Sequence, residues 1–294
     1  MNKVKIITDS CSDLSGELLT KYDIDYAKMT TVCEGVQQEA SLLWEYYSPK
    51  ELYDKIRNGI RVTTTQVPPE EFTRIFDLYI NDYDIVYIGC STKQSGSVNT
   101  AAVIAKQYKE KYPDSSIYCI DSLNASIGEG MLAIKAAEMR DEGKSAKEIF
   151  DNVSAMRNNV REFITVHTLE YLRRCGRVKA TAAFFGNLMG VKPILISDAN
   201  GAQTPVKKVK GRKNSFAEIV NLMKENITDS ENQTIYLVHA DCDPAEIEAL
   251  KNETLSKIKC KDVLPLYIGP IIGASVGPDA IGLFAFGTEV TYAV

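Results

Sequence analysis

Three stretches in the first 126 residues confine this chain to one class of architecture. They are residues 4–12 (VKIITDSCS), 85–97 (IVYIGCSTKQSGS) and 117–126 (IYCIDSLNAS). In each, a β-branched and apolar run stops at a cluster of small hydroxyl and acidic side chains and then passes into helical periodicity. Apolar runs of this length without polar alternation read as strands covered on both faces, and the helical lengths between them make the strands parallel. The pattern predicts βαβ units in an α/β fold. In open parallel sheets the ligand lies beyond the carboxyl ends of the strands, which is where these polar clusters fall. The same Ser, Thr and Asp residues are also good helix caps.

The rest of the chain divides in two. Residues 63–72 (TTTQVPPEEF) read as an extended segment, with a helix starting at Pro69 and Glu70 and Glu71 in its first turn. Three threonine hydroxyls therefore precede a helix amino end. Helices follow at 99–112 and 127–142, the second closing at Gly143. The pattern changes near Asn158. A strand at 162–166 and short helices at 169–174 and 180–189 come next, then a hairpin over 194–209 turned at Asn200 and Gly201. A helix at 215–226, a strand at 234–239, a helix at 243–255 and strands at 263–268 and 282–289 complete it. The expectation is a parallel-sheet α/β domain over residues 1–158 and a mixed-sheet α/β domain over 159–294.

Several chemistries are weak or excluded. The 34 basic against 39 acidic residues leave a formal charge of −5, so the chain lacks the basic surface that nucleic acid needs. Residues 267–287 are apolar but hold five glycines and two prolines, which read as loop and strand rather than a membrane span. Residues 1–9 show no leader pattern, and seven scattered cysteines without a Cys-x-x-Cys pair suit a reducing cytoplasm. Gly128-Glu129-Gly130-Met131-Leu132-Ala133 matches a dinucleotide fingerprint in letters only. Its first glycine falls seven residues past the strand end at Asp121, so close helix packing is the better use of the glycines. Gly273-Ala274-Ser275-Val276-Gly277 matches a hydrolase elbow, but no histidine follows it, and no Walker loop is present. His239 and Asp241 alone do not make a metal site, and His167 and His239 read as satisfied structural histidines. No cofactor or metal is expected.

The run Lys207-Lys208-Val209-Lys210-Gly211-Arg212-Lys213 is dense positive charge in an acidic chain, and Arg173, Arg174, Arg177 and Lys179 form a second cluster. Such runs are solvated faces or docking sites for an acidic partner.

Taken together, IITDSCSDL (6–14), TTTQVPPEEF (63–72), STKQSGSVNTA (91–101), IDSLNASIGEGML (120–132), FITVHTLEYLRRCGRV (163–178), GVKPILISDANGAQTPVKKVKGRK (190–213), VHAD (238–241) and GPIIGASVGPDAIG (269–282) resemble the DegV family of bacterial fatty-acid-binding proteins. The resemblance implies two α/β domains with a long-chain fatty acid, such as palmitate, stearate or oleate, between them. It implies further that the carboxylate is presented to a separate fatty acid kinase subunit, which makes acyl phosphate for phospholipid synthesis. The protein would then be a carrier and not the catalyst. Thr64 matches the family's threonine contact to the carboxylate, with Thr65 beside it, and Ser95 with the Gly96 amide matches its serine contact. Arg173, Arg177, Lys210 and Arg212 are the positions for kinase docking.

The chain departs from the pattern in three places. The usual Thr-Ser-Gln-Pro is Thr64-Thr65-Gln66-Val67, and the usual Gly-Gly-Arg is Cys175-Gly176-Arg177. The usual Gly-Ala-His is Gly273-Ala274-Ser275, so a short neutral hydroxyl stands where a histidine would help hold the carboxylate. Ser275 is accordingly a weaker candidate contact. The rival reading is an enzyme acting on a small anion at the same cleft, with Ser95 or His239 reactive.

Overall fold

Burial explains the first sheet. Strand β1 (Lys3–Asp9) is buried at every position after Lys3, and β6 (Tyr83–Gly89) is buried over its last five residues, as expected of strands covered on both faces. The computed structural model describes residues 3–179, 184 and 190–294. With β2 (Ile24–Ala27) and β7 (Ile117–Asp121) these strands form an all-parallel sheet of order β2-β1-β6-β7. Around it lie α1 (Gly16–Lys21), α2 (Pro49–Arg57), α3 (Pro69–Tyr79), α4 (Ser97–Lys111), α5 (Ile127–Asp141) and α6 (Ala146–Met156). Helix α3 begins at Pro69 as the proline signal requires. A small antiparallel sheet, β3 (Thr30–Cys33), β4 (Val36–Glu39) and β5 (Val62–Thr65), in the order β4-β3-β5, carries the threonine segment.

The second half builds a mixed six-stranded sheet of order β10-β9-β8-β13-β11-β12. Its strands are β8 (Val160–Thr165), β9 (Val191–Ser197), β10 (Gln203–Lys210), β11 (Thr234–His239), β12 (Asp262–Tyr267) and β13 (Ile281–Phe286). Among the described strands of this sheet, β11 and β12 are the pair that runs parallel. The helices are α7 (Glu170–Cys175), α8 (Arg212–Asn226), α9 (Pro244–Lys257) and α10 (Pro270–Val276). The short helix expected at 180–189 lies outside the described residues.

The sequence expectation for residues 267–287, loop and strand alone, needs correcting, because α10 occupies part of it. Pro270 stands in the first turn, where its missing N–H costs nothing, and Gly277 closes the helix at φ 78°. The glycines of α5 serve packing: a Cβ on Gly130 would sit 2.7 Å from the Ser12 carbonyl oxygen. Any larger residue would push α5 off the end of β1.

The two halves are clasped at several points. Tyr53 of α2 donates its hydroxyl to the Ile268 carbonyl at 2.7 Å. Arg57 reaches Asp241 Oδ2 at 2.5 Å and Asp279 Oδ1 at 2.9 Å. Asp13, at φ 51°, accepts from the Gly269 amide at 2.8 Å and from Ser126 Oγ at 2.5 Å. The hairpin tip docks on the strand end after β6, where Ser91 Oγ donates to the Gly201 carbonyl at 2.7 Å. One apolar core runs through these contacts, taking Ile7, Val86, Ile164, Val238 and Ile272 together. None of the described helices is long and apolar enough to cross a membrane.

Candidate functional site

Beyond the carboxyl ends of β1 and β6 lies a cavity of about 380 Å³, within the ~300 to 1,000 Å³ typical of small-molecule sites. Thr64, Thr65, Ser95, Gly96 and Ser275 all line it. A second cavity of about 210 Å³ shares Thr64, Arg177 and Ser275 with the first, so the two meet at those residues.

Local hydrogen bonds hold the mouth together. Gly96 caps α4 without a side-chain bond of its own, and Gln66 lies over it, with Nε2 donating to Thr100 Oγ1 at 3.0 Å. A Cβ at Gly96 would meet the Gln66 side-chain amide, whose end would have to move aside. The Val67 amide donates to Ser97 Oγ at 3.1 Å. These contacts latch the threonine strand β5 to the amino end of α4 and bring Thr64 and Ser95 to one rim. Ser95 Oγ lies 2.9 Å from Ser97 Oγ and accepts from the Ser97 amide at 3.3 Å. Its partners are a hydroxyl and an amide, neither of which is a general base. Ser275 donates to the Ile271 carbonyl of its own helix at 3.3 Å, which commits its proton.

The four cationic positions differ in their surroundings. Arg177 is half-buried in the wall of both cavities, its Nε donating to the Gln94 carbonyl at 3.2 Å and its Nη1 to the Cys175 carbonyl. Arg212 is held 3.0 Å from Glu246 and lies over the Phe216 ring. Arg173 is exposed and paired with Glu170 at 2.7 Å, and Arg173 and Arg174 together hold the Glu170 carboxyl down at about 2. Lys210 is exposed on β10. Arg177 thus faces the cavity and Arg212 is paired within the chain, while Arg173 and Lys210 are exposed.

His239 also departs from expectation. It is buried against Tyr267, with ring centroids 4.3 Å apart, and its Nδ1 has no hydrogen-bond partner. Desolvation holds its imidazole down at about 4. It lines neither cavity, so it does not meet Ser95.

Two acidic features escape a sequence reading. The inner wall holds Glu162, whose Oε2 accepts from the amide and hydroxyl of Ser197 and whose Oε1 accepts from Gln203; burial pushes its carboxyl up to about 7. The floor, reached at Cys11, Met29 and Cys90, is backed by Asp9 and Glu129. Glu129 Oε1 accepts from Thr8 Oγ1 at 2.7 Å, while Asp9 accepts from Tyr87, Cys11 and Cys90. Glu129 is fully buried, and desolvation drives its carboxyl well above the ordinary range. The one sequence signal for it was an acid set between glycines on a helix otherwise suited to burial.

The family model described as "Uncharacterised protein, DegV family" matches residues 3–288. A DegV domain-containing protein of Clostridium perfringens is 33% identical over 288 residues, covering 98% of each chain. Among solved structures, a DegV family protein from Thermus thermophilus described as binding fatty acid superposes with a TM-score of 0.86 at 26% identity, covering 98% of this chain and 100% of that one. A Thermotoga maritima protein described as revealing fatty acid binding function gives 0.83 at 26% identity, with coverage of 98% and 100%. A stearic acid-binding protein from Eubacterium ventriosum gives 0.84 at 25% identity, with 98% of both chains covered.

Proposed function

The chain belongs to the DegV family, and from that premise we propose that it binds a long-chain fatty acid such as palmitate, stearate or oleate and presents the carboxylate to a separate fatty acid kinase. One observation carries the reading: Thr64, Thr65, Ser95, Gly96 and Ser275, from three separate elements, line a single cavity. In this reading the carboxylate sits at the rim on the Thr64 and Ser95 hydroxyls and the amino end of α4, where amides and the helix dipole favour an anion. Hydrogen bonds to a charged group are worth about 1.5 to 3 kcal/mol each. Arg177, in the wall beside them, supplies the positive charge that Ser275 lacks. The acyl chain lies between residues 1–158 and 159–294 taken as two domains, and about 14 buried methylenes at ~0.8 kcal/mol each outweigh the headgroup. The protein is then a non-catalytic, cytoplasmic carrier in phospholipid synthesis, and the kinase meets it at exposed cations such as Arg173 and Lys210.

A fluorescent fatty acid titration, paired with a kinase association assay, tests this. Arg173→Glu with Lys210→Glu should leave lipid affinity unchanged and weaken kinase association, with a shallower salt dependence. Arg212 is left intact because it is half-buried over the Phe216 ring, where its reversal would disturb packing, whereas Arg173 and Lys210 are exposed. Loss of lipid binding with unchanged kinase association would contradict the docking assignment, and no fatty acid binding by the unaltered protein would contradict the carrier.

A further inference from the structure

The cavity floor brings together side chains that the lipid reading does not use. Among the described residues, Cys11, Cys90 and Glu129 form a group whose ligand atoms all lie within 4.8 Å of one another. All three are buried, Cys11 to 2%, Cys90 to 1% and Glu129 to 0% exposure. Met29 adds a thioether, its Sδ 3.5 Å from Cys11 Sγ.

The electrostatics of this pocket are one-sided. The groups that bear on Cys11 are Cys90, Asp9 and Glu129, all of them acids, and with burial they push its thiol well up. Independently, Glu129 Oε2 is buried without a hydrogen-bond partner, although its Oε1 is bonded. A buried carboxyl oxygen left unpaired costs about 1 to 3 kcal/mol. A cation among these donors would satisfy that oxygen.

We propose that Cys11, Cys90 and Glu129, with Met29 beside them, form a binding site for a thiophilic d10 cation, Zn²⁺ or Cu⁺. Thiolate and thioether donors select such ions over Mg²⁺ and Ca²⁺. At Zn–S bonds of about 2.3 Å, two sulfurs on one tetrahedral ion stand about 3.8 Å apart, so the observed group needs to close by no more than about 1 Å. On binding, each thiol and the Glu129 carboxyl give their protons to solvent, and the two sulfurs and a carboxylate oxygen give lone pairs to the metal, with no change of oxidation state. Cys11, Met29 and Cys90 line the cavity, so the ion arrives from that side while Glu129 waits behind. The proposal does not depend on the lipid reading.

The test uses the full chain, reduced and stripped of lipid and metal, titrated anaerobically with Zn²⁺ or Cu⁺ against a chromophoric chelator. One equivalent should bind, and Co²⁺ should give a thiolate-to-cobalt charge-transfer band. Cys90→Ser and Cys11→Ser should each lower affinity at least tenfold and remove the band, while thermal unfolding verifies that the variants remain folded. If they unfold, Glu129→Gln on the intact thiols should still weaken binding. Met29→Leu separates the ions, weakening Cu⁺ and sparing Zn²⁺. No metal held against the chelator, equal retention by a Cys11→Ser, Cys90→Ser double variant, or a Cys11–Cys90 disulfide in the freshly purified protein would overturn the proposal.

Discussion

The rim and the floor of the cavity are built from neighbouring strand ends, yet a charge meets opposite conditions at each. At the rim, Thr64, Ser95 and Arg177 are half-buried, offer hydroxyl and guanidinium donors and lie near solvent. On the floor, Asp9 and Glu129 are fully buried among thiols, and burial drives both carboxyls upward. The rim is suited to an anion, and the floor repels one. A fatty acid with its carboxylate at the rim and its apolar chain inward meets both conditions. The contrast also separates the expected consequences of mutation: floor changes should register in stability, rim changes in binding.

The largest effect is expected from breaking the floor's packing. Gly130→Leu sets side-chain carbon against the Ser12 carbonyl, where a Cβ alone already reaches 2.7 Å, and should lower stability by about 3 kcal/mol in urea unfolding. A variant as stable as the parent would mean that α5 is free to move.

The next effect depends on pH. Burial raises the Asp13 carboxyl from 3.8 to about 7 in the fold, so between those values the folded chain holds a proton that the unfolded chain has lost. Asp13 therefore contributes stability that is full below pH ~4, falls as pH rises toward ~7 and is gone above it. Glu162, also raised to about 7, acts in the same direction. Unfolding midpoints at pH 5 and pH 8 should differ by about 2 kcal/mol more in the parent than in Asp13→Asn. An equal difference in both would remove Asp13 as the cause.

Rim changes should be smaller and confined to ligand. Ser95→Ala should weaken fatty acid binding by roughly 1 to 3 kcal/mol while shifting stability by no more than about 0.5 kcal/mol. Equal losses in both would blur the distinction between rim and floor. Ser275→His sharpens the rim further by adding a partly protonated donor, and should tighten binding by less than about 1 kcal/mol, more at pH 6 than at pH 8. Tightening that ignored pH would mean the new side chain acts through packing.

The same contrast governs how much the chain discloses before it folds. The rim was legible because its residues sit in local patterns: a strand followed by a polar turn that holds Ser95 and Gly96 ahead of a helix, and threonines ahead of Pro69. Most strands of the larger sheets and helices α3, α4, α5, α7, α8 and α9 are legible from the pattern, and the hairpin from Asn200 and Gly201, whereas α1, α2 and α6 carry no expectation. Short elements with interrupted patterns were not. Strand β2 carries Asp25 among four residues, and the polar β4 pairs only within its small sheet. Helix α10 is obscured because its Pro270 and Gly273, with Gly277 and Pro278 just past its end, read as breakers. The floor was illegible for a different reason: Cys11, Cys90 and Glu129 meet only through the packing of β1, β6 and α5, and no spacing within one segment signals a contact made by three. Arg177 was read as surface charge because neighbouring arginines suggested a patch, whereas the turn at Gly176 directs it into the cavity wall.

The central claim is that an acyl chain occupies this cavity with its carboxylate at the rim, and extraction tests it most directly. Protein purified from a bacterial host without detergent, denatured and extracted into organic solvent should yield close to one equivalent of free fatty acid of about 14 to 18 carbons by mass spectrometry, because a chain buried at ~0.8 kcal/mol per methylene survives chromatography. Protein that yields none, and that fails to bind added palmitate or oleate at micromolar concentration, would contradict the account.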